Sequence, residues 1–515
     1  MSDTLQKSIA EIEQSGAARY LSKIQRGMEK ESLRVGPDGI ISQLPHPRTL
    51  GAALHHPHIT TDYSESLLEF ITPVHDDIDS MLDFLTRLHI FTYQNIGEEI
   101  LWTNSMPCIL QGDESIPIAD YGTSNIGFMK HVYRRGLGHR YGRLMQSIAG
   151  IHYNFSLPDV FFEAWTGDSS QDHRSDMYFR LIRNFHRYCW ILLYLYGAAP
   201  AVCQTFLSGR KHNLDVFEDH SFCLNDGTTL RMSDLGYQNS AQDNIQVCTN
   251  SLKDYVNTLR AATEQSFPGY EEIGVEVDGE YRQLNTNLLQ IENEFYTVIR
   301  PKRVIQPMEK PSAALEERGV EYIEVRLMDL NPYMPVGIDK PTIQFLDAFL
   351  LFCMFSDSPE ISPEEEEEIA HNRSQTVTHG RSGQSEILLN GEKHPFREIA
   401  TDLLEQINKT AKLLDTNGGT EHQDQVKTEL EKITAPEKTP SAVILAEMRE
   451  TGESYYAFAM RHAKSHEKLF KQAELPKPVY KEMHDVAEQS LQQFDAGQNV
   501  SQQPFGEFLR DYFKA

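Results

Sequence analysis

Residues 24–35 read Ile-Gln-Arg-Gly-Met-Glu-Lys-Glu-Ser-Leu-Arg-Val, and the two glutamates, Glu29 and Glu31, are spaced for chemistry. The flanking Ile24 and Val35 favour a strand, where residues i and i+2 share one face roughly 7 Å apart. Two carboxylates side by side repel each other, and a hard cation such as Mg²⁺, which prefers oxygen ligands, removes that repulsion. Taken alone, the segment is better explained as a solvated edge strand with its charges in water, the commonest fate of glutamate.

Three further segments repeat the pattern. Residues 151–157 alternate strictly, with His152, Asn154 and Ser156 on one face and Ile151, Tyr153, Phe155 and Leu157 on the other. Residues 322–326 set Glu324 and Arg326 together against Ile323 and Val325. Residues 290–296 read as a strand with Glu292, Glu294 and Tyr296 on a common side. An ordinary half-exposed antiparallel sheet also alternates, but it usually turns Lys, Thr and Ser outward. Glu, His, Asn, Arg and Tyr are the palette of a metal and anion site. Basic residues stand close by: Arg300, Lys302 and Arg303 follow the 290–296 segment, and Arg134 and Arg135 follow Tyr133. Arginines beside metal-binding carboxylates suit bidentate contacts to phosphate or carboxylate oxygens. Structural ion pairs would use the same residues.

The elements that must carry these rows can be read around them. Residues 3–22 and 78–97 have apolar residues at helical spacing, residues 176–197 form a long helix rich in aromatics and arginine, and residues 250–266 form another. Short strands are expected over 272–304 and a last one over 320–327. Ser362 and Pro363 open an acidic helix, with Glu365 placed to close a capping box. Residues 371–395 are polar and contain glycine, which predicts a loop. Beyond them the chain reads as helical: Phe396, Ile399, Leu403, Ile407 and Leu414 mark one helix, Thr439 caps another before Pro440, and residues 455–472 make a third. Three regions follow: the region of polar-rowed strands over 1–357, an acidic helix and polar loop over 358–395, and a helical region over 396–515.

At 515 residues the chain can bury a sizeable core in two or three lobes. A net charge of −27 argues against general nucleic-acid or anionic-membrane binding, and any polyphosphate substrate would need local cations to approach. The six scattered cysteines form no C-x-x-C and no zinc spacing, which fits reduced thiols in a cytoplasmic protein. The N-terminus lacks the apolar stretch of a secretory signal. The most apolar run, 188–206, is broken by Gly197 and Pro200, and the run 342–355 holds Asp347 at mid-length, so both read as buried rather than membrane-spanning. No G-x-x-x-x-G-K-[ST], G-x-G-x-x-G or G-x-S-x-G element offers a phosphate loop or a serine nucleophile.

The stretches IQRGMEKESLRV, TTDYSESLLEFITP, YGTSNIG, SIAGIHYNFSLP, MSDLGY, LQIENEFYTVIRPKR and GVEYIEVRLMDLNPY resemble, in order, the proteobacterial type of glutamate–cysteine ligase. The resemblance runs from about residue 20 to about residue 357 and so assigns catalysis to the region 1–357, and the C-terminal third shares it only loosely. It implies an α+β fold in which a curved antiparallel sheet forms a funnel like the catalytic sheet of glutamine synthetase, surrounded by helices. It implies an ATP-dependent reaction in which the γ-carboxylate of glutamate takes the γ-phosphate of ATP and the amine of cysteine then displaces phosphate. Such phosphoryl transfer depends mainly on positioning and charge neutralisation.

By the same resemblance, joined to the strand parity, Glu29, Glu31, Glu69, His152 and Glu324 would hold Mg²⁺. Imidazole is an unusual Mg²⁺ ligand and suits Mn²⁺ well. Arg326 would stabilise the transferring phosphoryl group, and Arg134 joins it among the catalytic candidates. Gln146 and Arg231 match positions suited to glutamate, and Asp62, Tyr133, Tyr237 and Tyr296 match positions of a cysteine pocket. Asp62 or the acyl phosphate itself would take the proton from the cysteine ammonium. The partners implied are small molecules only, acting on a monomer without nucleic acid or membrane.

Overall fold

The computed structural model describes residues 2–218, 220–236, 245, 247–306, 308–415, 418–498 and 502–514. Its centre is an open antiparallel sheet of seven strands: β1 (Gln25–Val35), β2 (Ile59–Thr61), β3 (Leu67–Ile71), β4 (Ile100–Leu101), β5 (Ile151–Ser156), β6 (Ile299–Lys302) and β7 (Tyr322–Met328). The order is β6-β7-β5-β1-β3-β2, with β4 paired to the end of β1. Helices surround this sheet, so the fold is a mixed helix-and-sheet architecture.

The two faces of the sheet differ because the sequence alternates. One face presents Met28, Phe70, Ile151, Tyr153, Phe155, Ile323 and Val325, all buried. The helix Lys340–Phe355 lies on this side, and its residues from Thr342 to Phe355 are all buried. Asp347, the one acid in that run, accepts hydrogen bonds from Arg26 (2.6 Å) and from the Tyr153 hydroxyl (2.6 Å), both on the same sheet face. A buried charge is tolerated when it is paired and hydrogen-bonded. This accounts for an acid inside an otherwise apolar helix. Among the described residues no helix is long and apolar enough to cross a membrane.

Several expected elements are present with adjusted bounds. The first helix runs Ser2–Ser15 and stops at Gly16, whose φ of 71° leads into a 3₁₀ turn, Ala17–Lys23. The helix expected over 176–197 is two helices, Gln171–Tyr188 and Trp190–Tyr196, and the turn after Gly197 and Pro200 leads to a short strand, Ala201–Cys203. Ser362 caps the acidic helix by accepting from the Glu365 N–H, but the Glu365 carboxylate pairs with Arg187 rather than closing a capping box. Thr439 precedes the helix Pro440–Thr451 without a side-chain cap, because its hydroxyl donates to the Pro436 carbonyl.

Two expectations are corrected. Residues 371–395 are not a loop: the acidic helix continues to His379, and Glu386–Leu389 pairs with Glu392–Pro395 in a hairpin. The helix persists through its polar stretch because Ile369, Asn372, Thr376 and Val377 bury one face, with the Asn372 amide bonding Leu388 in the hairpin in both directions. The cysteines are not all reduced either: Cys108 and Cys203 form a disulfide, with Cα atoms 5.4 Å apart across 95 residues of sequence. The segment after β4 meets the strand Ala201–Cys203 only in the folded chain, so spacing gave no sign of it.

Candidate active site

The register of the sheet decides which side chains meet. Glu31 lies directly opposite Glu69, Glu29 opposite His152, and Asn154 opposite Glu324. Directly opposed residues share a face with Cβ atoms about 5 Å apart. One face of β3, β1, β5 and β7 therefore carries Glu69, Glu31, Glu29, His152, Asn154, Glu324 and Arg326, and β6 adds Arg300 opposite Glu324. Asp62 follows β2 on the side of Glu69.

The contacts are short. His152 Nδ1 lies 3.1 Å from Glu29 Oε2, and Asn154 Nδ2 donates to Glu29 Oε1 at 3.1 Å. His152 Nε2 stands 3.8 Å from Glu31, and Nδ1 stands 3.9 Å from Glu324. Arg326 donates to Glu324 at 3.0 Å, and Lys302 reaches its other oxygen at 3.3 Å. Glu31 also accepts from the Gly150 N–H at 2.6 Å. Glu29, His152 and Glu324 each offer one ligand atom, and these atoms lie within 4.8 Å of one another, a spacing that could hold a metal ion.

The carboxylates divide into two electrostatic groups. Burial and the carboxylates of Glu29, Asp62 and Glu31 push Glu69 well above the usual carboxylate range. Burial also raises Glu31, against His152. For Glu324, burial acts upward, but Lys302, Arg326 and His152 outweigh it and hold the group well below that range. Glu29 lies between: burial and Glu324 push it up, and His152 with Lys302 brings it below its ordinary value. At the other end Arg231 and His152 act on Glu31, and Arg326 and Lys130 on Glu69, yet both groups stay raised, so these cations do not offset burial and the neighbouring acids there as Lys302 and Arg326 do for Glu324. A divalent cation fits that imbalance and the oxygen-rich donor set.

Above the sheet face lies a cavity of about 710 Å³. Glu31, His152 and Arg326 reach it from the sheet, Tyr133 and Arg134 from the helix Asn125–Tyr141, and Gln146 from the turn Leu144–Ser147. Asp62, Arg231 and Tyr296 line it as well; Glu29, Glu69 and Glu324 do not line it, Glu324 being fully buried and Glu29 and Glu69 half-buried. Arg231 is almost wholly buried and donates to the Arg326 carbonyl at 2.8 Å, which ties the two arginines together. The Tyr296 hydroxyl lies 3.5 Å from Met232 Sδ. Arg134 donates to the Asp62 carbonyl, and its guanidinium lies 4.7 Å above the Tyr121 ring. Tyr237 lies outside the described residues.

The strand expected over 290–296 is a 3₁₀ turn, Glu292–Glu294, and its acids do structural work. Glu292 accepts from the N–H (2.7 Å) and hydroxyl (2.5 Å) of Ser312 at the start of the helix Pro311–Arg318. Glu294 accepts from Tyr141, Arg140 and the Gln290 N–H. Those bonds, with the Asn285 amide donating to the Gln290 carbonyl, replace a ladder and bend the chain. Cavity residues not singled out from the sequence include His186, Arg373 and Asp234. Arg373 sits on the helix Pro363–His379, where Ile369, Thr376 and Val377 at helical spacing were the available signal.

A row of carboxylates and imidazole beside arginines, two of whose members line one cavity, is the kind of site a carboxylate- or phosphate-handling enzyme builds. The family model described as glutamate-cysteine ligase matches residues 9–376. The glutamate–cysteine ligase of Alcanivorax borkumensis is 46% identical over 520 residues, covering 99% of each chain. That of Pseudomonas paraeruginosa is 47% identical over 497 residues, covering 95% of this chain and 94% of its own. The crystal structure of the glutamate–cysteine ligase of Francisella tularensis in complex with AMP superposes with a TM-score of 0.91 at 35% identity, covering 96% of this chain and 98% of that one. The chain belongs to the glutamate–cysteine ligase family, and it is a ligase.

Proposed function

We propose that this chain joins the γ-carboxylate of L-glutamate to the amine of L-cysteine at the expense of ATP, through γ-glutamyl phosphate, as the first step of glutathione biosynthesis. The observation that carries the reading is the register that sets Glu69, Glu31, Glu29, His152 and Glu324 in one row beside Arg326. Two anions must meet in the first step, and Mg²⁺ or Mn²⁺ held by that row would neutralise their charge. AMP in the Francisella tularensis structure supports a nucleotide in the cavity.

In this reading Arg326, held by Glu324, faces the transferring phosphoryl group, and Arg134 adds positive charge on the opposite wall. Gln146 and Arg231 bind glutamate. Asp62, Tyr133, Tyr237 and Tyr296 form the acceptor pocket, each ring offering an apolar face and a polar tip. Asp62 or the departing phosphate oxygen receives the ammonium proton. The sheet face and the helices around it act as a glutamine-synthetase-like funnel. The catalytic region extends past 357 to His379, because Ile369, Arg373 and Thr378 line the cavity. The enzyme works in the cytoplasm as a monomer.

The test is ADP release with glutamate and a panel of amines, with and without Mg²⁺. Cysteine should be the preferred acceptor, and chelation should stop turnover. Equal rates with every amine, or turnover unaffected by chelation, would refute the assignment.

A further inference from the structure

The last described residues of the chain reach back to the helix that carries Tyr133 and Arg134. At a helix start the first N–H groups have no partner within the helix. Ser124 caps the helix Asn125–Tyr141 by accepting from the Gly127 N–H at 3.2 Å. The N–H groups of Thr123, Ser124 and Asn125 are closed by glutamines from the far end of the chain. Gln498 Oε1 accepts from Thr123 N, from the Thr123 hydroxyl at 2.7 Å and from Ser124 N at 3.2 Å. Gln502 Oε1 accepts from Asn125 N, and the Gln503 carbonyl accepts from the Asn125 amide at 3.0 Å. The approach is close: a Cβ on Gly122, at φ 78°, would lie 2.6 Å from Phe494 and 2.7 Å from the Gln498 amide.

A second contact runs along the side of the same helix. Phe505, Phe508 and Leu509 of the helix Phe505–Lys514 pack in one cluster with Phe128, Val132 and Tyr133, and the rings of Phe128 and Phe505 are 4.6 Å apart. Tyr133 is thus shared between this cluster and the cavity. Arg134, one residue on, is fixed to the Asp62 carbonyl. A shift of the helix would move both groups relative to the metal row, which belongs to the sheet.

We propose that Gln498 and the helix Phe505–Lys514 form a strap that holds the helix Asn125–Tyr141 in place and so sets the aim of Tyr133 and Arg134 into the cavity. Gln498 is a positioning residue in this scheme. The effect on cysteine rests on the acceptor role given to that wall above.

The experiment compares Gln498→Leu, Gln498→Glu, Leu509→Ala and Tyr133→Ala in the full chain. Gln498→Leu keeps the bulk and loses the acceptor oxygen, and Gln498→Glu keeps the oxygen. Gln498→Leu and Leu509→Ala should raise KM for cysteine about tenfold with KM for ATP changed less than about twofold. Gln498→Glu should restore wild-type constants. If both strap variants leave KM for cysteine unchanged while Tyr133→Ala raises it, the strap is refuted and the acceptor reading stands. If Tyr133→Ala also leaves it unchanged, the acceptor reading fails and the positioning role falls with it. Equal rises in both constants that Gln498→Glu does not rescue would make the segment a general stability element and overturn the proposal.

Discussion

Glu324→Gln and Glu69→Gln should have the same effect on turnover and different effects on stability. Both replace a carboxylate on the same sheet face by its neutral isostere. Glu324 is fully buried and contacts Arg326 at 3.0 Å and Lys302 at 3.3 Å, with Arg300 opposite it. Removing one partner of a buried, hydrogen-bonded charge pair costs about 3–5 kcal/mol. Unfolding entropy of roughly 2.1 cal/mol/K per residue puts a 515-residue chain at about 1 °C per kcal/mol, so Glu324→Gln should unfold about 3–5 °C lower. Glu69 faces Glu31 across the ladder, with Glu29 and Asp62 close enough to raise its pKa. Two carboxylates 5 Å apart repel by about 3 kcal/mol at an effective dielectric near 20. Without metal, Glu69→Gln should therefore unfold at the wild-type temperature or above it. Added Mg²⁺ should stabilise the wild type and stabilise either variant less. Both variants should lose at least about two orders of magnitude in ADP release, because each withdraws a charge from the site of phosphoryl transfer. Scanning calorimetry with and without Mg²⁺, beside steady-state ADP release, reads both quantities. Equal destabilisation by the two variants would refute the electrostatic division of the row. Near wild-type turnover of either at limiting Mg²⁺ would remove that residue from the metal site.

Oxygen label placed in the γ-carboxylate of glutamate should appear in the released phosphate, and unlabelled phosphate would rule out γ-glutamyl phosphate. Chelation should abolish ADP release and Mn²⁺ should restore it at least as well as Mg²⁺, since one proposed ligand is an imidazole; titration of the stripped protein checks this. A Cβ at Gly150 would lie 2.2 Å from Arg231 Nη2, so Gly150→Ala should push the guanidinium out of place. Turnover at low glutamate should then fall by about 100-fold with the circular dichroism spectrum retained.

Strand parity is a local property, and it made half of the candidate site's geometry legible. Glu29 with Glu31, His152 with Asn154 and Glu324 with Arg326 each share a face because residues two apart must. The Gln290–Tyr296 segment shows where the same rule misleads: alternation there met side-chain bonds from Asn285 and Ser312 that bend the chain into a turn. The helix through Arg373 was hidden by a polar stretch whose burial depends on the hairpin that follows it. Glu69 was legible only through family resemblance, because its short strand, Leu67–Ile71, carries one acid among apolar residues and has no polar row of its own. Electrostatic sorting was out of reach of any local reading. Glu69 and Glu324 are the same residue type on the same face, yet one sits among acids and the other among cations. Their neighbours arrive on strands far apart in the chain, and only the pairing order β6-β7-β5-β1-β3-β2 brings them together. The same order explains why the row has an acid-rich end and a cation-rich end. Arginine and lysine enter from β6 and β7 at one edge, the acids of β1 and β3 gather toward the other, and His152 on β5 stands between them.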